Sequence, residues 1–150
     1  HCKLLGYSRS ESPKAKELGI KYVSLDQLLS QSDIVSLHLP LNDNTKGLIS
    51  EEKIKLMKKN ALLINTARGP VLDSKALAAA LNSGDIGGAA IDVFESEPPI
   101  SSDHPLFHSR NTLVTPHIAF ATEESMVKRA NIVFDNVYSW IKGEEKNIVL

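Results

Sequence analysis

The sequence predicts an α/β fold built on a parallel sheet. Short apolar runs recur along its 150 residues, and stretches of helical periodicity separate them, the alternation expected of a parallel sheet with crossover helices. One run, Ala61-Leu62-Leu63-Ile64-Asn65, is apolar almost throughout, as expected of a strand covered on both faces.

The elements follow in order. Residues 4–7 read as a strand, 13–18 as a short helix opened by Pro13 and ended by Gly19, and 21–23 as a weaker strand. Ser24 is placed to cap a helix over 24–30, and 34–39 form the next strand. Ser50 is expected to cap a helix over 51–59, with Glu51 and Glu52 at its positive end and Lys58 and Lys59 at its negative end. A strand over 61–66 leads to a helix over 75–82, capped by Asp73 or Ser74 and stopped at Gly84. The glycines at 84, 87 and 88 read as that stop followed by a turn. Strands over 89–93 and 112–115 complete the sheet. A last helix over about 122–141 sets Met126, Ala130, Val133, Val137 and Trp140 on one face, a stripe read as core or interface.

Composition narrows the function classes. Hydrophobic residues at 42% and charged residues at 23% are ordinary for one soluble globular domain. A net charge of −1 gives no reason to expect nucleic acid or an anionic membrane as partner. The single cysteine, Cys2, precludes an intrachain disulfide and fits a reducing cytoplasm. No apolar run approaches the roughly 20 residues of a membrane span. The chain opens His1-Cys2-Lys3 directly into an apolar run, which reads as a cut just before or inside a strand.

Three segments follow predicted strands and carry reactive side chains. They are Asn65-Thr66-Ala67-Arg68-Gly69, Ile91-Asp92-Val93-Phe94-Glu95-Ser96-Glu97-Pro98 and Thr115-Pro116-His117-Ile118-Ala119. Ligands of open parallel sheets bind beyond the carboxyl ends of the strands, so an Arg, a Glu and a His from three strand ends are expected to converge. A guanidinium grips a carboxylate bidentately. An imidazole gives a proton to a carbonyl oxygen, and a neighbouring carboxylate orients it and favours its charged form. The set suits reduction of a 2-keto acid by nicotinamide hydride. His1, His38, His104 and His108 read as ordinary histidines, with His38 at most flanking a cofactor. Ser101-Ser102-Asp103-His104-Pro105 reads as a polar loop, and no metal site is assigned.

At these residues the sequence resembles the D-isomer-specific 2-hydroxyacid dehydrogenases, in particular the NAD(P)-binding domain of glyoxylate/hydroxypyruvate reductases and phosphoglycerate dehydrogenases. The resemblance covers essentially the whole chain, from the second strand of the nucleotide fold onward. It implies a doubly wound, Rossmann-like sheet that here lacks the first strand and the Gly-rich loop. Residues 1–143 would then be a partial NAD(P)-binding domain, with 144–150 leading back toward an absent substrate domain. Residues 4–7 and 34–39 would present bare edges where the first strand belongs.

Position by position, the resemblance makes Arg68 the carboxylate anchor, His117 the acid/base and Glu97 its partner. Glu95 is set aside, because the family's Glu directly precedes Pro; formate dehydrogenases carry Gln at that step. Asp92 would hold the nicotinamide carboxamide, and Leu39, Pro40, Thr45, Thr66 and Ala67 would line the cofactor, NAD or NADP. Ser8-Arg9-Ser10 stands where NAD-preferring members usually carry an acidic residue, which favours NADP. The implied protein is a cytoplasmic homodimer acting on a small 2-keto or 2-hydroxy acid, and this chain is expected to be an inactive part of it. A nucleotide-sensing interaction module, like the C-terminal-binding-protein corepressors that share these motifs, stands as the alternative.

Overall fold

The computed structural model describes residues 2–96 and 98–149. The chain divides into two compact units, 1–116 and 117–150.

In the first unit, β1 (Leu5–Gly6) and β2 (Lys21–Tyr22) pair in parallel, Leu5 opposite Lys21 and Gly6 opposite Tyr22. Between them lies α1 (Pro13–Glu17), where the Ser12 hydroxyl accepts the Ala15 N–H and Pro13 occupies the first turn. Gly19 then turns the chain at φ 84°, a conformation that glycine adopts without cost. Helix α2 (Leu25–Gln31) opens on a reciprocal capping box between Ser24 and Gln27, as Ser24 predicted.

Four parallel strands form the main sheet in the order β3 (Ile34–Leu37), β4 (Leu62–Asn65), β5 (Gly88–Ile91) and β6 (Thr112–Val114). Val35, Leu37, Leu63 and Ile91 point to one face and share a core with Leu29 of α2, Ile54 of α3 (Glu51–Ile54), and Leu77 and Leu81 of α4 (Ser74–Ser83). The opposite face is open: Ile34 is 59% exposed and Leu62 44%. The run at 61–65, expected to be covered on both faces, therefore buries alternate side chains only, because the helices of this unit pack on the Leu63 side.

No strand joins β1 to β3 among the described residues, so the sheet is split in two. A cavity of about 320 Å³ lies there, lined by Leu5, Tyr7, Val35, Leu37 and Leu39 among others. It occupies the place where the doubly wound order expects one more strand.

One helix departs from its predicted form. Helix α3 ends at Ile54 instead of residue 59, because the chain tightens into three-residue turns, Leu56 N–H to Lys53 O and Met57 N–H to Ile54 O. That tightening buries Met57 beside Ile54 and lets Ala61 enter the core. Lys58 thus lies beyond the helix and pairs with Asp33 at 2.8 Å. Ser50 stands at the N-cap position, but its hydroxyl donates to the Glu52 carboxylate at 2.7 Å and caps no backbone N–H. For α4 the cap is Asp73, which accepts the Ala76 N–H at 3.0 Å, while Ser74 is buried inside the helix; Gly84 closes it at φ 76°.

The second unit is built on α5 (Glu123–Ile141), capped by Thr122 accepting the Ser125 N–H. Lys146 pairs with Asp135 at 2.6 Å and Asn147 bonds Asn136 at 2.8 Å, which ties the tail back onto the helix. The stripe Met126, Val133, Val137 and Trp140 is exposed, Trp140 at 78%, so in this chain it is not core. Among the described residues no helix is long and apolar enough to cross a membrane.

Candidate active site

Each predicted site segment of the first unit leaves the carboxyl end of a parallel strand. Beyond β3 come His38, half-buried Leu39 and Pro40. The Thr45 hydroxyl donates to the Pro40 carbonyl at 2.6 Å and accepts the Asn42 N–H at 2.9 Å. Its polar group is thereby spent on holding the Leu39–Pro40 turn.

Beyond β4 the chain turns sharply, and Asn65 builds the turn. Fully buried at the strand end, it accepts the Ala67 N–H at 3.0 Å and donates to the Arg68 carbonyl at 3.1 Å. Short polar side chains satisfy the nearby backbone in this way wherever a ladder stops. The turn leaves Thr66 and Arg68 exposed and Ala67 buried. The Arg68 guanidinium donates back to the Ala67 carbonyl at 2.6 Å and otherwise faces outward. Asn65 is the residue that sequence reasoning passed over; its signal was a lone amide closing an apolar strand.

Beyond β5 stands Asp92, only 3% exposed. Its N–H donates to the Asn65 carbonyl at 2.9 Å, and its carboxylate accepts the Thr115 hydroxyl from the end of β6. Two neighbouring strands thus hold one buried acid beside the Thr66–Arg68 turn. Gly69 closes that turn against the same loop: a Cβ there would lie 1.9 Å from the Phe94 carbonyl and 2.5 Å from the Glu95 nitrogen. Only glycine fits.

Glu95 binds His104 at 3.0 Å. Partial burial works against its charge, yet hydrogen bonds from Ser74, His104 and its own backbone N–H outweigh that and hold the carboxyl below the usual glutamate range. Glu97 lies outside the described residues. His117 belongs to the second unit, exposed, in the left-handed region at φ 55°, with its ring edge-on to Phe120 at 5.9 Å. In the two-stranded sheet, Ser8, Arg9 and Ser10 are exposed just past the carboxyl end of β1, and Ser8 shares the interstrand cavity with His38 and Leu39. The structure therefore brings Thr66, Ala67, Arg68 and Asp92 together around one turn, with Leu39 and Pro40 on the adjoining strand end and Ser8 across the cavity.

The fold and these strand ends define a Rossmann-like nucleotide-binding domain. The sequence profile described as D-isomer specific 2-hydroxyacid dehydrogenase, NAD binding domain, matches residues 1–119, and the chain belongs to that family. A glyoxylate reductase of Aeropyrum pernix is 45% identical over 143 residues, covering 95% of this chain and 42% of the relative. The D-lactate dehydrogenase of Aquifex aeolicus, solved with NAD and lactic acid, superimposes with a TM-score of 0.83 at 37% identity over 95% of this chain and 47% of that one. An acyclic imino acid reductase solved with NADPH and D-Arg also gives a TM-score of 0.83, at 31% identity over 99% of this chain and 46% of that one. The chain thus spans less than half the length of these relatives.

Proposed function

We propose that the protein containing this chain interconverts a small 2-keto acid and its D-2-hydroxy acid with a nicotinamide cofactor. The observation that carries this reading is the Arg68 turn, built by Asn65 and set beside the buried Asp92 at the carboxyl edge of the sheet.

The donor set fits the cofactor. Leu39, Pro40, Thr66 and Ala67 offer an apolar and backbone lining, and the Asp92 carboxylate suits an amide N–H. Ser8, Arg9 and Ser10 offer a guanidinium between hydroxyls, which suits a ribose 2′-phosphate and favours NADP over NAD. Thr45 contributes by holding Pro40 in place. When bound, the nicotinamide supplies the hydride.

Arg68 is assigned to the substrate carboxylate, which its outward fork can grip bidentately while polarising the adjacent carbonyl. His117 is assigned to the carbonyl oxygen, giving it a proton in reduction and removing that proton in oxidation. Glu97 is assigned as the carboxylate partner of His117. The lone cysteine fits a cytoplasmic protein, and the exposed apolar stripe of α5 fits assembly into a homodimer.

The test is nicotinamide absorbance in the whole protein, with NADPH and NADH separately, against glyoxylate, hydroxypyruvate and pyruvate. Turnover is expected, with kcat/KM falling about 100-fold or more in His117→Ala and in Arg68→Ala. Arg9→Ala should raise KM for NADPH roughly tenfold and leave NADH nearly unchanged. Tight nucleotide binding with no turnover of any of the three acids would overturn the enzyme reading in favour of a nucleotide-sensing module.

A further inference from the structure

Sequence reasoning gives neither Glu95 nor His104 a role, yet the fold joins them. His104 Nε2 lies 3.0 Å from a Glu95 carboxylate oxygen, while Nδ1 accepts the Leu106 N–H at 3.3 Å as the cap of a 3-10 turn over Pro105–His108. A ring nitrogen that accepts carries no proton, so the proton sits on Nε2 and is donated to Glu95. The side chain of His104 is only 13% exposed, against 39% for Glu95. Phe94 meets the His104 ring edge-on at 5.0 Å, and Phe107 lies 5.4 Å from it. Glu95 is thus tied to the 3-10 turn.

On its other side the same stretch of backbone is pressed against the site. The Phe94–Glu95 peptide rests on Gly69, so closely that no Cβ fits between them, and Gly69 directly follows Arg68. Asp92 lies two residues before Phe94, and its position is set independently by Thr115 and Asn65.

We infer that the Glu95–His104 pair is a positioning clamp, which presses the loop running from Asp92 toward Glu97 against Gly69 and so sets where Arg68 stands. Neither residue touches substrate. Their effect passes through the Gly69 contact to the guanidinium, and along the loop to the residues that follow. The inference rests on the proposed dehydrogenase reading for its catalytic consequence, but the clamp itself is testable without turnover.

Three variants of the whole protein separate the roles. His104→Asn keeps a side-chain acceptor for the Leu106 N–H but is too short to reach Glu95. Glu95→Ala removes the partner, and Glu95→Gln keeps an oxygen that accepts from Nε2. Misplacement of a catalytic group by a fraction of an ångström costs roughly tenfold or more in rate. We expect kcat on the keto acid to fall at least about tenfold in His104→Asn and Glu95→Ala and to be largely restored in Glu95→Gln. Nucleotide Kd should change less than about twofold, because the cofactor residues are held by other contacts. The amides of Phe94 and Glu95 should exchange faster in both disabling variants, and ring-nitrogen spectra of the wild type should show the Nε2-protonated tautomer of His104.

Unchanged kcat in both disabling variants overturns the inference. So does an equal fall of kcat, nucleotide affinity and Tm in all three, which would mean a merely structural pair. If the wild type turns over no keto acid, the dehydrogenase reading fails; unchanged amide exchange and the opposite tautomer would then sink the clamp as well.

Discussion

At the scale of single residues, contact between backbones governs the site. Gly69 has no side chain because the Phe94–Glu95 peptide occupies that space, with atoms 1.9 Å from where a Cβ would stand. Backbone whose own Glu95 side chain is bonded to His104 cannot swing away as a flexible side chain would. Gly69→Ala should therefore destabilise the fold by about 1–3 kcal/mol, the usual range for overpacking, with urea unfolding as the measure. If stability were unchanged, the Gly69 contact would not constrain the loop, and the clamp would lose its means of reaching Arg68. Asn65 works by the opposite logic, filling a turn with two hydrogen bonds that no apolar residue of its size can make.

At the scale of elements, local propensity and tertiary demand compete, and two neighbouring helices resolve the contest differently. The α4 segment Ser-Lys-Ala-Leu-Ala-Ala-Ala-Leu is rich in strong helix formers, has an acidic N-cap and ends on glycine, so every local signal agrees with its burial of Leu77 and Leu81. Asp73→Ala should cost about 1 kcal/mol by urea unfolding, and Asp73→Ser should recover most of it. Equal stability of wild type and alanine variant would mean that Asp73 contributes no capping energy. Helix α3 is followed by Lys55, Leu56, Met57, Lys58 and Lys59, all able to extend it, but it stops at Ile54. Burial of Met57 and Ala61 outweighs the few tenths of a kcal/mol per residue that helix propensity offers.

At the scale of the whole molecule, stability is distributed unevenly between the two sheets. Strands β4 and β5 are paired on both edges and support most of the core, whereas β1 and β2 are two residues each with a single ladder between them. Amide exchange of this chain should be slowest at Leu63, Ile64, Ala89 and Ala90 and much faster at Lys21 and Val23, since a two-stranded ribbon is marginal alone. Uniform protection across both sheets would contradict that hierarchy. The parallel α/β class, the six strand positions, the Ser24 cap and the placement of Arg68 just past a strand end were all legible in the sequence, because period, cap chemistry and strand-then-turn order are local properties. The early end of α3, the open face at Leu62, the exposed stripe on α5 and the pairing of Glu95 with His104 were not. Each depends on what lies across space from a residue and not beside it in the chain: a core that must receive Met57, a sheet face that no helix of its unit covers, and a histidine brought to a carboxylate by the turn at Pro105. Hydrophobic period and turn chemistry determined which elements form, but only tertiary packing decided which of their faces are buried and which polar groups meet.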